Sequence, residues 1–484
     1  MQAGFAGWLK QNRVNCFLGL LFCAAAIPLA VRTAGLVARA NLFPGVTFNE
    51  GWNAYYAHRA VTGIPLYGAP PNRLVINYPP LSFHVNGALA GASGDANFTG
   101  RMTSLAALFW VSLCAGFIAY RFSGELRAAA FAALFCLGWF VYFSPDAVAV
   151  NEPQLLAHAL ILTGVALYWA APDSALMVAA ACVVVCIGGF DKHNQLAFPL
   201  ALTLDAMRRS RRLLAVWIGT AAAAVAIGFA ITTRVDGPYF LQHLLTPRRY
   251  VIASGIIVSR VFFRMFLPAL GAGAIWCVAK RRRPEVRFLL AALAAALVLG
   301  MFFTVGSGVT INVFYDTVIV LAIVAGLMVN DVARLPRAGT AIWYPIMLAT
   351  VVLLSAGPVM SGVYSPAPSK AATMEADRTF REDIAYLKTK PDPAFCLDLL
   401  LCYEAGRALQ FDPFYGRELM GRGLLDPHVL DKEFAARKYA VVQVYDSDIY
   451  FSPASWVVLR ASYREERRNG GRVFYVPMEK AMVP

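Results

Sequence analysis

Long apolar runs separated by short polar segments fill the first 356 residues of the chain. Runs of 17 to 25 residues with few charges are typical of helices that cross a bilayer, and by that criterion there are about eleven. The pattern therefore predicts a polytopic α-helical membrane protein. The runs lie at residues 15–38, 101–120, 128–143, 154–171, 175–190, 195–207, 213–233, 259–279, 288–304, 316–333 and 340–356.

Beyond residue 357 the apolar runs shorten, and Pro, Asp, Glu and Arg become frequent after the linker SPAPS at 365–369. The periodicity there predicts a small α/β domain. We therefore divide the chain into a membrane domain, 1–356, and a soluble domain, 357–484. The predicted elements are an amphipathic helix at 375–389, a buried strand at 439–445, and a hairpin of 456–462 with 472–476 around Asn469-Gly470-Gly471.

Basic residues cluster in alternate loops, and Lys and Arg are enriched in cytoplasmic loops of membrane proteins. This predicts a cytoplasmic N-terminus, a retained first helix and a soluble domain on the outer side, which in a bacterial inner membrane is the periplasm. The clusters are Lys10 with Arg13, Arg121 with Arg127, Arg208 to Arg212, Lys280 to Arg287, and Arg334 with Arg337.

Composition supports the membrane assignment: 58% of the residues are hydrophobic, 15% are charged, and the mean hydropathy is +0.56. The net charge of +14 follows in part from the basic cytoplasmic loops, and no nucleic-acid-binding motif accompanies it. The sequence contains no P-loop, no G-x-G-x-x-G fingerprint and no H-E-x-x-H. A nucleotide-sugar donor and ATP-driven transport are therefore disfavoured.

Ionisable residues are concentrated in the loops of the predicted outer side. The first of these loops, at 48–87, places Glu50 just beyond an apolar run, among several aromatic residues. The segments at 144–154, 190–195 and 306–316 also carry polar groups out of proportion to their length. Ionisable groups at membrane depth are costly and so indicate function. Because all four segments share one predicted side, they predict one outward-facing site.

The first outer loop resembles that of the GT-C glycosyltransferases, membrane enzymes that take sugars from polyprenyl-phosphate carriers and include protein mannosyltransferases and aminoarabinose transferases. Where that family usually has an Asp-Glu pair, this chain has Asn49-Glu50, so the resemblance leaves only Glu50 for the acid role. The resemblance rests on Glu50, Gly51, Ala54, Gly63, Pro65, Leu66, Tyr67, Tyr78, Pro79, Pro80 and Leu81.

The resemblance implies a GT-C fold and an inverting hexosyl- or pentosyltransferase that uses a polyprenyl-phosphate sugar as donor. Its acceptor would be an envelope glycan, lipid or protein outside the cytoplasm. One alternative is a secondary transporter or flippase for a lipid-linked or anionic substrate, which predicts inverted repeats with broken helices that the sequence does not show. A second alternative is a non-catalytic scaffold for envelope assembly.

Such a transfer needs a base for the acceptor hydroxyl, and three acidic residues are candidates for catalysis. The resemblance favours Glu50 as the base, although a carboxylate solvated at the interface or favoured by a helix dipole explains it too. Asp146 and Glu152 follow in the next outer loop, where either can orient the acceptor or bind a metal. Glu152 can equally be a first-turn helix residue before Pro153. Whether a divalent metal takes part is left open.

The departing phosphate needs cations. Lys192, with His193 beside it, is the leading phosphate ligand, since related transferases resemble this chain in having a Lys there; a lysine that reaches toward lipid headgroups is the alternative. A second group consists of arginines that can hold phosphate or simply contact anionic lipid, and the sequence does not separate the two. Its members are Arg248, Arg249, Arg260 and Arg264, of which the last two share a predicted helix face.

Seven further residues complete the predicted substrate-binding set, and two cysteines form a candidate disulfide. Tyr55, His58, Arg59 and Tyr78 belong to the first loop, and Asn312, Tyr315 and Asp316 resemble a Gly...Asn-x-x-x-Glu/Asp loop of these transferases. Asp316 is as readily a helix cap. Cys396 and Cys402 are the only cysteines of the outer domain, where an oxidising compartment allows a disulfide and two reduced thiols are the alternative.

Overall fold

A computed structural model describes residues 2–70, 73–334, 348–352, 354–355, 369–446 and 450–479, and the side chains from residue 15 onward. Within these ranges every predicted apolar run lies on a helix. Most of the predicted run at 340–356, residues 365–368 of the SPAPS linker and the proposed boundary between residues 356 and 357 lie outside them.

Thirteen helices precede residue 334 in the described part of the chain. Among them, seven are long and apolar enough to cross a membrane, and α6 and α7 are shorter apolar helices. They are α1 (Gln2–Arg39), α2 (Asn49–Val61), α3 (Leu81–Ser93), α4 (Ala96–Ser123), α5 (Leu126–Phe143), α6 (Gln154–Ala170), α7 (Ala175–Gly189), α8 (Ala197–Arg209), α9 (Arg211–Val235), α10 (Phe240–Leu244), α11 (Ile252–Ala279), α12 (Pro284–Thr304) and α13 (Tyr315–Ala333).

Helix α13 is the centre of the membrane part, and it packs against α4, α5, α11 and α12. Nearly all of its residues are buried, whereas α9 and α1 expose most of their apolar surface at the periphery. Gly326 allows the closest approach, because a Cβ there would lie 2.4 Å from the carbonyl oxygen of Ala128. Small residues at such crossings let helix backbones approach closely, which is how membrane helices gain packing energy.

The soluble domain holds a four-stranded sheet in the order β1-β2-β4-β3, with β1 parallel to β2 and the other pairs antiparallel. Five helices surround it. The strands are β1 (Ala394–Cys396), β2 (Val441–Tyr445), β3 (Tyr463–Asn469) and β4 (Arg472–Pro477), and the helices are α14 (Lys370–Lys388), α15 (Leu399–Glu404), α16 (Pro413–Gly421), α17 (Val429–Ala435) and α18 (Pro453–Ser462).

The predicted helix at 375–389 and the predicted strand at 439–445 are confirmed by α14 and β2, but one arm of the predicted hairpin is wrong. Residues 456–462 belong to helix α18. Its N-cap, Ser452, accepts a hydrogen bond from the amide of Ser455, and Pro453 occupies the first turn. Those two residues start a helix despite the β-branched valines that follow. The hairpin begins one residue later, at Tyr463, and turns at Gly470 and Gly471.

The soluble domain and the first outer loop share a hydrophobic core. Trp52 and Tyr56 of α2 belong to the same buried cluster as Leu399 and Leu400 of α15. Gly51 makes this contact possible, because a Cβ there would lie 2.1 Å from the amide nitrogen of Leu400. A disulfide joins Cys396 to Cys402 beside that contact. The soluble domain is therefore packed directly onto the membrane part.

Candidate active site

A cavity of about 910 Å³ lies between the outer loops of the membrane part and the soluble domain. Acidic and basic side chains from four separate segments of the chain face it. The polar and aromatic lining residues include Asn49, Trp52, Tyr78, Asp146, Glu152, Gln154, Lys192, His193, Asn194, Arg248, Asn312, Tyr315, Asp412, Phe414, Tyr415, Arg422 and Tyr450.

Glu50 forms a buried ion pair with Arg101 of α4 beside this cavity. Arg101 Nε and Nη2 donate to Glu50 Oε1 and Oε2 at 2.7 and 2.8 Å, and both side chains are almost completely buried. The other guanidinium hydrogens go to the carbonyl oxygens of Ala40, Leu42 and Pro44. A guanidinium has five N–H donors, so this arginine is fully satisfied. The chain between α1 and α2 is thus folded around one cation.

In this geometry Glu50, the predicted base, is occupied by bonds within the protein. Glu50 does not line the cavity, and its oxygens also accept hydrogen bonds from the amides of Val46 and Asn151, at 2.6 and 3.0 Å. Four donors therefore engage the two carboxylate oxygens of Glu50, and all four belong to the protein. Its neighbour Asn49 faces the cavity instead, since consecutive helix residues point in different directions.

Glu152 is the acid that Glu50 places at the cavity. Glu50 holds the amide of Asn151, and the carbonyl of Asn151 accepts a hydrogen bond from Asn53 at 2.6 Å. Ala149, two residues before Asn151, has a φ of 54°. This left-handed conformation costs a residue with a Cβ about 1 kcal/mol or more. A buried residue keeps such strain only where its surroundings fix it. The segment 149–152 is therefore held in one conformation.

The Glu152 carboxylate has one hydrogen-bonded oxygen and one buried oxygen without a partner. Its Oε1 accepts a hydrogen bond from the Asn49 side chain at 2.6 Å, while Oε2 has no hydrogen-bond partner within the described residues. Burial raises the pKa of Glu152, and the charge of Lys192 and the bond from Asn49 oppose that rise. A raised pKa makes a carboxylate a better base near neutral pH. Glu152 therefore has the position and the free oxygen that a base requires.

Lys192 is a buried cation that faces the same cavity. Only 4% of the residue is exposed, and its Nζ lies 4.7 Å from the centre of the Tyr78 ring. Across the described residues it donates no hydrogen bond and forms no ion pair. Burial lowers the pKa of Lys192, and Glu152 and Asp191 oppose this through their charges. Because the Lys192 ammonium group donates to no acceptor in the described residues, an anion in the cavity would satisfy its hydrogen-bond donors.

The residues on either side of Lys192 supply no further positive charge at neutral pH. Burial lowers the pKa of His193 to about 4, so its imidazole is neutral. Asp191 is fully buried, and this raises the pKa of its carboxyl to about 7. The positive charge of this segment therefore resides on Lys192.

Two arginines that line the cavity meet at the soluble domain. Arg248 donates to the hydroxyl of Tyr415, from Nε at 3.1 Å and from Nη2 at 2.5 Å. Arg422 donates to the carbonyl oxygen of Arg248. Asp412 also reaches the cavity, and it accepts a hydrogen bond from the Trp52 indole at 3.2 Å. Thus the soluble domain forms part of the cavity wall.

Sequence reasoning missed the residues of the soluble domain. Asp412, Tyr415 and Arg422 carry no motif, and they lie far along the chain from the outer loops that they meet. The only available signal was local: Asp412 before Pro413 is a helix start. That signal predicts a helix and says nothing about a site.

Three of the predicted arginines lie elsewhere. Arg260 and Arg264 are exposed on α11 and do not line the cavity, so the predicted phosphate site at those two positions is not supported. Their spacing of four does give them one face, but that face is turned away from the cavity. Arg249 pairs with Glu418 of the soluble domain, with Nη2 to Oε1 at 2.8 Å, and also does not line it. Its charge is neutralised within the protein.

Four other predicted substrate contacts also lie outside the cavity wall. His58 is exposed on α2, and Arg59 donates to the carbonyl of Pro65 at 2.7 Å with its guanidinium near the Tyr55 ring. Asp316 lies behind the wall, 3.0 Å from Nε2 of His158. These residues fix the loops and the helix ends around the cavity.

The remaining predicted residues do face the cavity. Asn312 and Tyr315 line it from the start of α13, and the Tyr315 hydroxyl lies 2.5 Å from Ser144 Oγ. Asp146 lines it with a largely exposed carboxylate, 3.9 Å from Arg39. Over the described residues no group of three or more His, Cys, Asp or Glu side chains is arranged to hold a metal ion.

No protein-family model and no curated protein matches this chain, but solved structures do. ArnT from Cupriavidus metallidurans bound to undecaprenyl phosphate superposes with a TM-score of 0.64 at 14% identity, over 96% of this chain and 99% of that one. Its apo structure gives 0.64 at 15%, over 98% of each chain. Archaeoglobus fulgidus oligosaccharyltransferase AglB, in complex with an inhibitory peptide and a dolichol-phosphate, gives 0.53 at 11%, over 98% and 75%. At these identities the likeness is one of fold: the chain shares the fold of ArnT and AglB over nearly its whole length.

Proposed function

We propose that the protein is an inverting glycosyltransferase that moves a hexosyl or pentosyl group from a polyprenyl-phosphate donor to an acceptor outside the cytoplasm. The observation that carries this proposal is that Lys192 and Glu152 both line one cavity. Lys192 is a buried cation without a counter-ion contact, and Glu152 is a carboxylate with one buried oxygen that lacks a hydrogen-bond partner among the described residues. A phosphate and an acceptor hydroxyl are the groups that these two side chains would bind.

The similar structures support a lipid phosphate as the donor group. ArnT of Cupriavidus metallidurans is bound to undecaprenyl phosphate, and AglB of Archaeoglobus fulgidus is in complex with a dolichol-phosphate. Both lipids carry a phosphate on a long apolar chain. The cavity of this protein has a charged part for a phosphate and an apolar part for a lipid chain. Its lining includes the exposed apolar residues Leu245 and Phe302.

The reaction follows from these positions. The acceptor hydroxyl oxygen attacks the anomeric carbon, and its proton passes to Oε2 of Glu152. The bond between the anomeric carbon and the phosphate oxygen breaks, and the phosphate leaves with the electron pair. Lys192 and Arg248 stabilise the charge that develops on that oxygen, which is the largest electrostatic demand of the step. Attack opposite to the leaving phosphate inverts the anomeric carbon.

Asn49 gives Glu152 its orientation in this scheme. The hydrogen bond to Oε1 leaves Oε2 as the atom that receives the proton. In the GT-C transferases that the first loop resembles, an acid usually occupies the position of Asn49. A carboxylate there would repel Glu152, whereas an amide donates to it. The acid role therefore moves from the first outer loop to the second.

Lys192→Ala should weaken the binding of undecaprenyl phosphate by about tenfold to a hundredfold, because a hydrogen bond to a charged group contributes about 1.5–3 kcal/mol. Binding is measured by titrating the purified protein in detergent and following tryptophan fluorescence, since Trp52 lines the cavity. Lys280→Ala is the matched control, a partly exposed lysine at the opposite end of the membrane helices. An unchanged Kd for Lys192→Ala would assign the phosphate to Arg248 alone.

The proposed orientation places the N-terminus in the cytoplasm and the soluble domain in the periplasm of a bacterial inner membrane. It rests on the basic residues of alternate loops and on the position of the cavity at the soluble-domain end. Alkaline phosphatase, which is active only in the periplasm, should be active when fused after Pro484. A fusion that is inactive while a cytoplasmic reporter at the same position is active would reverse the orientation.

A further inference from the structure

One face of helix α16 holds the loop residues Arg248 and Arg249. Tyr415 and Glu418 belong to the helix and Arg422 is its C-cap; the three are spaced three and four apart, which is the spacing of neighbours on a helix surface. Tyr415 accepts from the Arg248 side chain, Glu418 from Arg249, and Arg422 donates to the Arg248 backbone. Two consecutive residues of the membrane part are thus held by one short helix of the soluble domain.

The two halves of this contact have different surroundings. Glu418 accepts from Arg249 and also from Ser307 Oγ, at 2.9 Å, and so joins two outer loops to the soluble domain away from the cavity. Arg248 and Tyr415 both line the cavity. The Arg249 contact therefore accounts for docking, while the Arg248 contact lies at the site.

Arg248 keeps donors available for a ligand. Its Nε and Nη2 donate to the Tyr415 hydroxyl, and the guanidinium carbon lies 5.5 Å from the centre of the Tyr415 ring. Within the described residues, Nη1 donates no hydrogen bond, and Arg248 forms no ion pair with a carboxylate. One edge of the guanidinium is therefore fixed by a neutral acceptor, and its charge is not neutralised.

Tyr415 is itself immobilised. Asp412 Oδ1 caps α16 by accepting from the amides of Phe414 and Tyr415, at 2.9 and 3.0 Å, and Asp412 Oδ2 accepts from Trp52 of the membrane part. Only 3% of Tyr415 is exposed. Its hydroxyl therefore has little freedom, and an arginine bound to it loses less entropy when a ligand arrives.

We infer that Tyr415 is a positioning residue through which the soluble domain orients Arg248 toward the phosphate of the donor. The inference rests on the proposed function and adds to it a role for the soluble domain. A guanidinium held at Nε and Nη2 presents Nη1 in a fixed direction, and fixed donors stabilise charge better than mobile ones. Without the hydroxyl, the arginine keeps its charge but loses its direction.

A double-mutant cycle on the full-length protein in detergent tests this inference, with undecaprenyl phosphate as the probe. Tyr415→Phe removes only the hydroxyl and keeps the ring. It should weaken binding by about fivefold to thirtyfold, the factor that corresponds to one or two kcal/mol. Arg248→Ala should weaken binding at least as much. In the Arg248→Ala background the Tyr415→Phe change should have no further effect, because the two residues act as a unit.

The outcomes separate the inference from the proposed function. Unchanged binding in Arg248→Ala would remove Arg248 from the phosphate site and count against both. Weaker binding in Arg248→Ala with unchanged binding in Tyr415→Phe would overturn the inference alone. A Tyr415→Phe effect that persists in the Arg248→Ala background would also overturn it, since Tyr415 would then act on the ligand directly.

Two further variants guard against a loss of folding. Tyr386→Phe removes a hydroxyl that donates to Glu466 on the outer surface of the soluble domain, and it should leave binding unchanged. If Tyr415→Phe does not fold, Arg248→Lys serves in its place, because lysine keeps the charge but lacks the fork that Tyr415 orients. Arg248→Lys should bind about as weakly as Arg248→Ala. Wild-type affinity in Arg248→Lys would overturn the inference.

Discussion

Glu152→Gln should slow sugar transfer by about a hundredfold to ten-thousandfold, the usual contribution of a general base. The amide keeps the volume of the side chain and can still bond to Asn49 through its oxygen. It cannot take up the proton of the acceptor hydroxyl. Because the phosphate site at Lys192 is untouched, undecaprenyl phosphate should bind with the wild-type Kd or more tightly. Turnover is measured as release of polyprenyl phosphate from a panel of polyprenyl-phosphate sugars with a membrane extract as acceptor.

The matched control for this variant is Glu125→Gln, since Glu125 pairs with Arg334 at the opposite end of the helices. Its turnover should equal that of the wild-type protein. Wild-type turnover in Glu152→Gln would exclude Glu152 as the base. Asp146→Asn would then become the decisive variant, because Asp146 is the other acid of the membrane part that lines the cavity.

Glu50→Gln should unfold the protein or lower its free energy of unfolding by about 3–5 kcal/mol, the cost of leaving a buried charge without its partner. Arg101 would keep its positive charge with no counter-ion. In either orientation of the glutamine amide, its NH₂ group would face hydrogen-bond donors where the carboxylate oxygen accepted. The donors are Arg101 itself and the amides of Val46 and Asn151. The measurement is the thermal unfolding of the purified protein in detergent.

Glu125→Gln is again the control variant. It removes an ion pair between partly exposed side chains and should lower the free energy of unfolding by about 1 kcal/mol or less. The molecules of Glu50→Gln that fold should transfer sugar at a rate within a few fold of the wild type, since the base is intact. A fully stable Glu50→Gln protein without turnover would restore Glu50 as the catalytic base.

The membrane helices could be predicted from the sequence because each one is a long apolar run with few charges. The hairpin arm at 456–462 could not, since the choice between helix and strand there depended on the start at Ser452 and Pro453. A β-branched run alone favours a strand. The N-cap decided the element, and it lies outside the run.

The candidate site was predictable at the level of loops but only partly at the level of residues. Lys192 and Glu152 face the cavity, as expected of ionisable groups at membrane depth. Glu50 does not, because Arg101 near the start of α4 neutralises it. Glu50 and Arg101 are 51 positions apart in the sequence, so no local motif indicates that they form a pair. The soluble-domain residues share this difficulty, since only the tertiary fold brings them to the outer loops.

The contact of Gly51 with Leu400 has a consequence for the order of assembly. The α2 backbone and the start of α15 touch so closely that neither can take its final place without the other. The helices of the membrane part are synthesised long before residue 400 exists. The nascent chain therefore inserts with an unfinished cavity, whose wall is completed when the last quarter of the chain, which carries Asp412, Tyr415 and Arg422, folds onto it.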